Sequence, residues 1–515
     1  MNFKKVLKIL GKIMILEGVL MIAPFLVTLF YKESLINKIA FIIPIAILVV
    51  GGYLLQLLKP KRNNLYQKEG FALVGLVWVV MTLFGALPFV INGEIPNYID
   101  AFFETMSGFT TTGASVVSDV SKLSHSSLFC RSFTHWIGGM GILVFILIFI
   151  PESEEGSSLH LLKAESPGPQ VGKLASKMKV TTRILYSIYL GLTLLEIIIL
   201  MCDAPIPGYE SEKFFFSLLT AFGSAGTGGF GFIPGSMELF SPFSQYVIAT
   251  FLILFGVNFS LYYLILLGKI KEVLKSKELR TYLLIVVSAV SLVFIGLVTR
   301  VNELSQVYSG EEAFRHSYFQ VASILTTTGY STTDFNLWPS LCIGVLVLCM
   351  FIGGMAGSTS GGIKLSRVMI AFKGIGRNIR KLINPRYVPK SKFEGKLLEE
   401  SVINDVFSFC TLYFIILILT TLILCLDPVN GNMIQIVSET GVGNYQVRHG
   451  FTTNFLSALS AVSNVGPGIE AVGPYSSFAN YSFFSKIILS IVMLIGRLEI
   501  LPILILFNPR TWKKS

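Results

Sequence analysis

The stretch Ser107-Gly-Phe-Thr-Thr-Thr-Gly-Ala-Ser115 is a small, hydroxyl-rich run that lies between two apolar segments. Such a run cannot cross a bilayer in contact with lipid, because its backbone N–H and C=O groups would lack hydrogen-bond partners there. Irregular backbone at membrane depth is tolerated only where it is buried in protein or lines a watery cavity. The stretch therefore indicates a pore or a binding site.

The run recurs three times along the chain. Aligned on Gly113, comparable runs occur at Ala225-Gly-Thr-Gly-Gly-Phe230, Thr326-Thr-Thr-Gly-Tyr330 and Ser463-Asn-Val-Gly-Pro467, and the aligned residues Gly113, Gly229, Gly329 and Gly466 are called the anchor glycines. Six residues before each anchor lies a small residue, and eleven before lies a large apolar one, as a tightly packed short helix requires: Ser107, Gly223, Ser323 and Ser460, and Phe102, Leu218, Tyr318 and Phe455. Four copies at matching offsets predict one ring with four walls.

The composition is that of a polytopic membrane protein. Of the 515 residues 53% are hydrophobic and 14% are charged, and the mean hydropathy is +0.70; a soluble domain is less apolar and more charged. The net charge of +11 indicates basic cytoplasmic loops rather than nucleic-acid binding, because the basic residues cluster between apolar spans. The six cysteines lie singly, without CxxC spacing or companion histidines, so neither a metal site nor a disulfide framework is indicated. We expect no cofactor in this chain.

Apolar segments long enough to span a membrane, about 20 residues, divide the chain into a repeated pattern. Two N-terminal spans at 4–31 and 36–58 precede four units, each consisting of a long span, a short segment, a glycine run and a second long span. We expect the long spans at 69–92, 128–151, 180–202, 243–268, 279–299, 340–372, 401–426 and 480–508, and the short segments at 98–109, 212–224, 311–325 and 450–462.

The predicted fold is an all-α polytopic membrane protein with four such units in pseudo-fourfold arrangement around one pore, plus two extra N-terminal transmembrane helices. The boundaries are 1–62 for the helix pair and 63–162, 163–275, 276–396 and 397–515 for repeats 1 to 4. Basic loops at 269–280 and 364–396 are expected to face the cytoplasm. Every short helix would then enter from outside, dip in and return.

The four runs have the chemistry of a cation site. A short helix ending inside the membrane directs its partial negative charge at the axis, and glycine permits backbone angles that turn successive carbonyl oxygens inward. A divalent site normally requires carboxylates; none of the runs contains one, so a desolvated monovalent cation fits best. The candidate ion-binding residues are Thr111, Thr112, Gly113, Thr227, Gly228, Gly229, Thr327, Thr328, Gly329, Asn464, Val465 and Gly466. For any single copy, a loop that merely turns the chain is the alternative.

The second long span of repeat 3 is interrupted by glycine. Each glycine inside a helix costs roughly 1 kcal/mol relative to alanine, so we predict a broken, mobile segment beneath the runs, with a close-packed helix face as the alternative. Its residues are Gly353, Gly354, Gly357, Ser358, Thr359, Ser360, Gly361, Gly362 and Lys364. Arg497 lies inside the last apolar span, where an arginine is expected to be functional or to face a wet cavity; pairing with Glu499 or with carbonyl groups is the alternative.

Together the runs, the repeat units, the N-terminal pair and Gly353-Gly-Met-Ala-Gly-Ser-Thr-Ser-Gly-Gly-Ile-Lys364 resemble the Trk/Ktr/HKT superfamily of potassium transport subunits, and within it the TrkH/TrkG branch. The resemblance covers essentially the whole chain. It implies a potassium pore within one protomer, with K⁺ as the substrate bound at the candidate ion-binding residues, which would form a selectivity filter. The glycine-rich segment with Lys364 would be an intramembrane gating loop, and Arg497 would lie below the filter.

The resemblance also implies the protein's surroundings and its ion preference. We expect a homodimer in the lipid of the bacterial cytoplasmic (inner) membrane, controlled by a TrkA-like cytoplasmic ring of nucleotide-binding domains. In this family a glycine at every anchor goes with potassium selectivity, and a serine in the first repeat goes with sodium permeation. The fourth run departs most, with Asn464 and Val465 in place of two threonines, so we expect an asymmetric ring of less strict selectivity.

Two transport functions stay open from the sequence. One is a gated potassium-conducting subunit, and the other is a potassium symporter coupled to protons or sodium, since broken helices also build secondary transporters. Apart from Glu17, Glu196 and Glu499 the spans are nearly free of acidic residues, so no carboxylate relay for coupling is evident. An enzyme would need His, Asp, Glu or Cys at catalytic spacing, and the sequence contains no such constellation.

Overall fold

The computed structural model describes residues 2–60, 67–141, 178–299, 308–384, 392–436, 444–498 and 500, and these residues are mostly helical. The N-terminal pair consists of α1 (Phe3–Leu20), its continuation α2 (Ile22–Phe30), and α3 (Leu35–Gln56). Ser34 begins α3, because its side chain accepts the N–H of Asn37 in the first turn. The two extra N-terminal helices predicted from the sequence are confirmed.

Four units follow, each with a long helix, a short helix and a second long helix. In repeat 1 these are α4 (Gln67–Gly85) with its continuation α5 (Leu87–Ile91), the short α6 (Tyr98–Phe109) and α7 (His125–Gly139). Repeat 2 contains α8 (Met178–Met201), the short α9 (Lys213–Gly226), α10 (Pro242–Phe255), α11 (Phe259–Leu266) and α12 (Ile270–Lys275).

Repeats 3 and 4 have the same order. Repeat 3 contains α13 (Lys277–Thr299), the short α14 (Gly310–Leu325), α15 (Ser340–Ile352) and α16 (Leu365–Ile383). Repeat 4 contains α17 (Glu400–Leu424), the short α18 (Phe451–Ser463) and α19 (Phe483–Leu498). Two small antiparallel hairpins are the strands of the described chain: β1 (Lys392–Phe393) with β2 (Lys396–Leu397), and β3 (Met433–Ile436) with β4 (Tyr445–Arg448), where Met433 pairs with Arg448.

Some predicted spans differ from the structure. The segment 243–268, predicted as one span, is broken into α10 and α11, which are bent by 92°. Asn258 causes the break, since its side chain accepts the N–H of Ser260 at 2.8 Å and so begins a new helix. The break of 340–372 between α15 and α16 was expected. The end of the predicted span 128–151, from 142 onward, and residues 501–508 of the last span lie outside the described residues.

Serine pairs join the two long helices of three repeats at their outer ends. The second long helix starts with Ser-x-x-Ser at 124–127, 241–244 and 482–485, and in each case the first serine accepts the N–H of the second. A carboxylate near the end of the preceding long helix binds the same turn. Glu94 accepts the N–H of Ser124 at 2.9 Å, Asp203 accepts the hydroxyls of Ser241 and Ser244, and Asp427 accepts the N–H of Ser482 at 3.0 Å. This capping geometry supports the repeat independently of the glycine runs.

The long helices surround the short ones. Most residues of the short helices are buried, whereas the large apolar residue eleven positions before each anchor is half-buried, where it packs against the surrounding helices. The outer helices expose apolar side chains such as Leu284 at 67% and Leu348 at 63%. Six helices of the described chain are long and apolar enough to cross a membrane, and a seventh span is possible if the bent pair counts as one. The all-α polytopic fold with four repeats is therefore confirmed.

Candidate functional site

The four anchor glycines meet in one closed ring. The anchor segments are defined as Thr111–Gly113, Thr227–Gly229, Thr327–Gly329 and Asn464–Gly466. A Cβ atom built on Gly113 would lie 1.9 Å from the carbonyl oxygen of Gly228, and one on Gly229 would lie 1.9 Å from that of Thr328. In the same way, a Cβ atom built on Gly329 would lie 2.3 Å from the carbonyl oxygen of Val465, and one on Gly466 would lie 2.7 Å from that of Thr112. Each anchor thus touches the carbonyl group of the next repeat, and the fourth returns to the first.

The ring opens into a cavity on one side. This cavity has a volume of about 430 Å³ and is lined by all four anchor glycines, together with residues that follow them, among them Ser115, Gly231, Ser331 and Pro467. Since the four glycines line one space, they share an axis. The structure brings the anchor segments predicted to bind the ion together at one end of this cavity.

The backbone of all four anchor segments has the same unusual conformation. The first residue of each segment is left-handed, with φ of 53° at Thr111, 53° at Thr227, 59° at Thr327 and 55° at Asn464. The anchor glycine is also left-handed, with φ between 70° and 104°. A β-branched or other non-glycine residue adopts this region only when its surroundings impose it. The middle residue of each segment is not left-handed, so the backbone conformation alternates along the segment. Such alternation turns successive carbonyl groups to the same side, as a ring of backbone oxygens around an ion requires.

One backbone hydrogen bond is repeated four times at the residue six positions before each anchor. The N–H of the middle residue of each segment donates to the carbonyl of that small residue, at 2.8 Å from Thr112 to Ser107, 3.0 Å from Gly228 to Gly223, 2.8 Å from Thr328 to Ser323 and 3.0 Å from Val465 to Ser460. The bond ends the short helix and starts the segment. Space is short at this position, since a Cβ atom on Gly223 would lie 1.9 Å from the Tyr330 hydroxyl, and Ser460 donates its hydroxyl to the Gly466 carbonyl at 2.7 Å.

The fourth segment keeps the shared backbone and changes the side chains. Asn464 takes the left-handed position that threonine holds elsewhere, and its side-chain N–H groups donate to the Thr112 hydroxyl at 2.9 Å and to the Met493 carbonyl at 2.9 Å. Asn464 therefore connects repeat 4 to repeat 1 and to the last long helix. The ring is fourfold in its main chain and asymmetric in its side chains.

A buried ion pair behind the ring was missed by the sequence analysis. Arg131 and Glu104 lie 2.8 Å apart, and their side chains are 2% and 0% exposed. Glu104 also accepts the N–H of Val116 at 2.8 Å, and Arg131 donates to the carbonyl of Gly231 at 2.9 Å. The pair thus fixes the chain that leaves segment 1 to the chain that leaves segment 2. A charged residue in the middle of each of two helices flanking the first glycine run was the available signal.

His135, to which the sequence analysis assigned no role, connects the same two repeats. Its Nδ1 lies 2.8 Å from the carbonyl oxygen of Gly108, and its Nε2 accepts the N–H of Phe230 at 3.3 Å. These partners require the proton to be on Nδ1, because Nε2 acts as the acceptor. His135 is therefore a neutral packing residue between short helix α6 and segment 2.

The glycine-rich stretch of repeat 3 lies directly against the other side of the ring. Residues 353–364, here called the glycine loop, connect α15 to α16 without helical structure. The N–H of Gly361 donates to the Thr327 hydroxyl at 2.6 Å, and the N–H of Gly362 donates to the Ser463 carbonyl at 2.8 Å. Thr327 begins segment 3 and Ser463 precedes segment 4. The loop therefore contacts the ring on the side opposite the cavity, which is called the inner end of the ring.

The remaining loop residues bind the repeats around them. Leu365 donates its N–H to the Gly354 carbonyl at 3.0 Å, and Phe259 donates its N–H to the Gly357 carbonyl at 3.0 Å. Ser358 and Thr359 donate their hydroxyls to the carbonyls of Met355 and Phe255, and the backbone at Gly353 packs on Gly361. The loop is thus held by backbone contacts to repeats 2, 3 and 4.

Two positively charged side chains donate hydrogen bonds to carbonyl groups at this loop. The Arg497 guanidinium donates to the carbonyl oxygens of Thr359 at 2.8 Å and Gly139 at 2.7 Å, and also to that of Gly138. Lys364 donates its ammonium group to the Ser360 carbonyl. Arg497 therefore joins the loop to the end of α7, while Glu499, its alternative partner in the sequence analysis, lies outside the described residues.

Comparisons with known proteins give a consistent result. The family model TrkH, described as a cation transport protein, matches residues 37–514. The chain is 33% identical to the Trk system potassium uptake protein TrkH of Salmonella typhimurium, and the alignment covers 100% of both chains. It is 31% identical to the Trk system potassium uptake protein TrkG of Escherichia coli, and that alignment covers 98% of this chain and 97% of the relative. The crystal structure of the potassium transporter TrkH from Vibrio parahaemolyticus matches with a TM-score of 0.82 and 29% identity, over 100% of both chains.

Proposed function

Because the chain belongs to the TrkH family of cation transport proteins, we propose that it is the membrane-spanning subunit of a Trk-type potassium uptake system. Potassium is the cargo, and it crosses along the axis shared by the four anchor glycines. The relatives that support this proposal are named as Trk system potassium uptake proteins. The host membrane would be the bacterial cytoplasmic membrane.

The observation that carries the proposal is the ring itself. The middle-residue carbonyl groups of the four segments lie against the anchor glycines of the neighbouring repeats, and the ring contains no carboxylate. Neutral backbone oxygens replace the hydration shell of a monovalent cation. The short helices end at the ring, so their C-terminal partial charges add a negative potential there. Thr111, Thr112, Gly113 and their counterparts would thus form a selectivity filter for K⁺.

The glycine loop would act as a gate. It contacts the inner end of the ring through Thr327 and Ser463, so an ion leaving the ring on that side meets the loop. Three of its glycines, Gly353, Gly357 and Gly362, have positive φ values between 70° and 76°, a conformation that prevents the loop from closing into helix. Arg497 adds a fixed positive charge beside the path, and its charge would raise the barrier to a cation until the loop moves.

Control would come from outside the membrane. We propose a homodimer whose loops are moved by a TrkA-like cytoplasmic ring of nucleotide-binding domains. The name "Trk system" shared by the relatives supports a multicomponent assembly. Since α16 starts directly after the loop, and its Lys373 donates to the carbonyl of Lys392 in the hairpin β1–β2, a force applied at the hairpin would be transmitted along one helix to the gate.

Proton- or sodium-coupled symport is a second candidate. Glu17 and Glu196 lie in long helices, and both carboxyl groups are buried. Glu17 has no hydrogen-bond partner among the described residues, whereas Glu196 faces the hydroxyl of Ser224. A buried acid of this kind is a candidate proton carrier. Neither residue belongs to the ring or to the glycine loop, so coupling would require a further conformational step.

The test is ion flux into liposomes that contain the purified chain. Potassium and sodium gradients are applied separately, and the proton flux is followed with an internal pH dye. We expect potassium to move faster than sodium and to follow its own gradient without stoichiometric proton movement. Equal potassium and sodium fluxes would contradict the proposed selectivity filter. A fixed ratio of proton flux to potassium flux would favour symport over a gated pore. A variant lacking part of 353–362 should conduct more than the wild type at rest; equal or lower flux would remove the gate.

A further inference from the structure

We propose that Glu278 is the residue that holds the glycine loop against the ring from the cytoplasmic side. The inference rests on the proposed gate, and it adds a positioning residue that lies outside the ring, the loop and the last helix. Glu278 is the second residue of α13, and its side chain is only 5% exposed. Its carboxyl group interacts with backbone at both ends of the loop.

The first contact is at the start of the loop. The N–H of Ala356 donates to Oε1 of Glu278 at 2.9 Å. The preceding residue, Met355, donates its N–H to the carbonyl of Gly256 at 3.0 Å, where α10 has just ended. The entrance of the loop is therefore fixed to repeat 2 by the backbone and to α13 by one carboxylate. Hydrogen bonds to charged groups are stronger than those between neutral groups.

The second contact is at the end of the loop. The backbone of Ser366, in the first turn of α16, interacts with the same carboxyl group. Lys364, which precedes α16, provides no side-chain cap for this helix. A carboxylate near the first turn supplies the negative charge that a helix N-terminus favours. Glu278 thus takes the place of the missing cap, and one side chain ties Ala356, near the start of the loop, to Ser366, just after its end.

The charges around Glu278 connect it to the cytoplasmic hairpin. Lys364 from the loop provides the opposite charge, and Glu394 from the hairpin provides a like charge. Glu394 itself accepts the N–H of Glu278 at 2.8 Å, and Lys373 lies near both Glu394 and Lys277. Lys373 also donates to the carbonyl of Lys392 at 2.7 Å, which holds the hairpin on α16. Hairpin, α13 and loop therefore form one chain of contacts, in which Glu278 is the last member before the gate.

The experiment compares potassium flux of the full chain in liposomes for wild type, Glu278→Gln and a matched control. Glutamine keeps the size and one acceptor oxygen but removes the charge, so we expect the resting flux to rise about tenfold, the ratio that corresponds to losing one charged hydrogen bond. The preference for potassium over sodium should not change, because Glu278 does not touch the ring. Glu272→Gln, an exposed carboxylate of the neighbouring α12 that pairs with Lys269, should leave the flux unchanged.

A second readout reports the position of the loop directly. Thr359 is 1% exposed, so a cysteine placed there should react slowly with a water-soluble thiol reagent. The exposed Cys202 is replaced by serine in this protein so that it does not react instead. Adding Glu278→Gln should speed this reaction in proportion to the gain in flux. Glu278→Asp, which keeps the charge on a shorter side chain, should lie between wild type and Glu278→Gln in both measurements.

The outcomes separate the two proposals. Wild-type flux and wild-type cysteine reactivity in a correctly folded Glu278→Gln protein would overturn the role of Glu278. If Glu278→Gln fails to fold, Glu278→Asp and Glu394→Gln replace it, and wild-type values in both would have the same meaning. If a loop deletion raises the flux but the Glu278 variants do not, the gate proposal stands and the proposed role of Glu278 is refuted. A loop deletion without effect would remove the gate itself.

Discussion

Substitution of the anchor glycines by alanine should damage transport in an order set by the ring. A Cβ atom would lie 1.9 Å from a neighbouring carbonyl oxygen at Gly113 and Gly229, 2.3 Å at Gly329 and 2.7 Å at Gly466. Real Cβ atoms essentially never approach closer than 3.0 Å. We therefore expect Gly113→Ala and Gly229→Ala to be most severe, followed by Gly329→Ala and then Gly466→Ala.

The magnitude follows from two physical terms. The left-handed backbone costs an alanine about 1–2 kcal/mol, and overpacking against backbone atoms adds about 1–3 kcal/mol. At the lower end the sum is about 2 kcal/mol, which corresponds to a roughly thirtyfold smaller population of the undistorted ring. The potassium flux through Gly113→Ala should fall by about this factor. The obstructing atoms belong to the ring itself, so the preference for potassium over sodium should fall as well.

The assay is potassium and sodium flux in liposomes, measured separately, with the melting temperature in detergent as a check of folding. Gly231→Ala is the matched control, because it lies two residues after an anchor and its Cβ would have 3.8 Å to the nearest atom recorded there. It should transport like the wild type. Gly113→Ser is included because serine in the first repeat goes with sodium permeation in the superfamily that the sequence resembles. A Gly113→Ala protein with flux and ion preference within about threefold of the wild type would refute the ring contacts as described.

Three further predictions concern the supporting residues. Arg497→Gln should raise the resting potassium flux about tenfold without changing the ion preference, since it removes charged hydrogen bonds to the loop; wild-type resting flux would contradict this. Glu104→Gln should lower the free energy of unfolding by about 3–5 kcal/mol, because Arg131 would remain buried without its partner; thermal unfolding in detergent measures it, and a loss below about 1 kcal/mol would count against it. The third prediction concerns pH. Burial raises the pKa of Asp427, but hydrogen bonds from the hydroxyls of Ser482 and Ser485 lower this pKa by more than burial raises it, so the net shift is downward. The Asp427 carboxylate therefore contributes its full stabilisation above the unfolded pKa of about 3.9, and this stabilisation is lost as the pH falls through the folded pKa. The Asp427→Asn protein should therefore lose less stability in acid than the wild type. Parallel acid-unfolding curves for the two proteins would refute this.

Some features of the site could be predicted because their signals are local. A span is recognised by its length and apolar composition, and the short helices by segments too short to cross. The anchor glycines share their offsets with a small and a large residue. The structure shows why the first is small: it is buried at the end of each short helix, and at Gly223 a Cβ atom would lie 1.9 Å from the Tyr330 hydroxyl. The break in repeat 3 follows from the helix propensity of glycine.

Other features depend on contacts between distant parts of the chain. Local preferences argue against a left-handed threonine, yet Thr111, Thr227 and Thr327 all adopt this conformation, because the neighbouring repeats hold them there. The bend at Asn258 was not predicted, since an apolar segment of sufficient length reads as one helix whether or not a side chain caps its middle.

By itself the amino-acid sequence determined the number of repeats, the order of long and short helices, and which glycines correspond to one another, since each of these depends on neighbouring residues along the chain. Only the tertiary structure decided that the anchors close in the order 1, 2, 3, 4 and back to 1, that Glu104 pairs with Arg131, and that Glu278 reaches the glycine loop. The physical reason is that a carbonyl, a carboxylate or a guanidinium can bind many partners, and the partner is chosen by the packing of helices that the chain separates by tens to hundreds of residues.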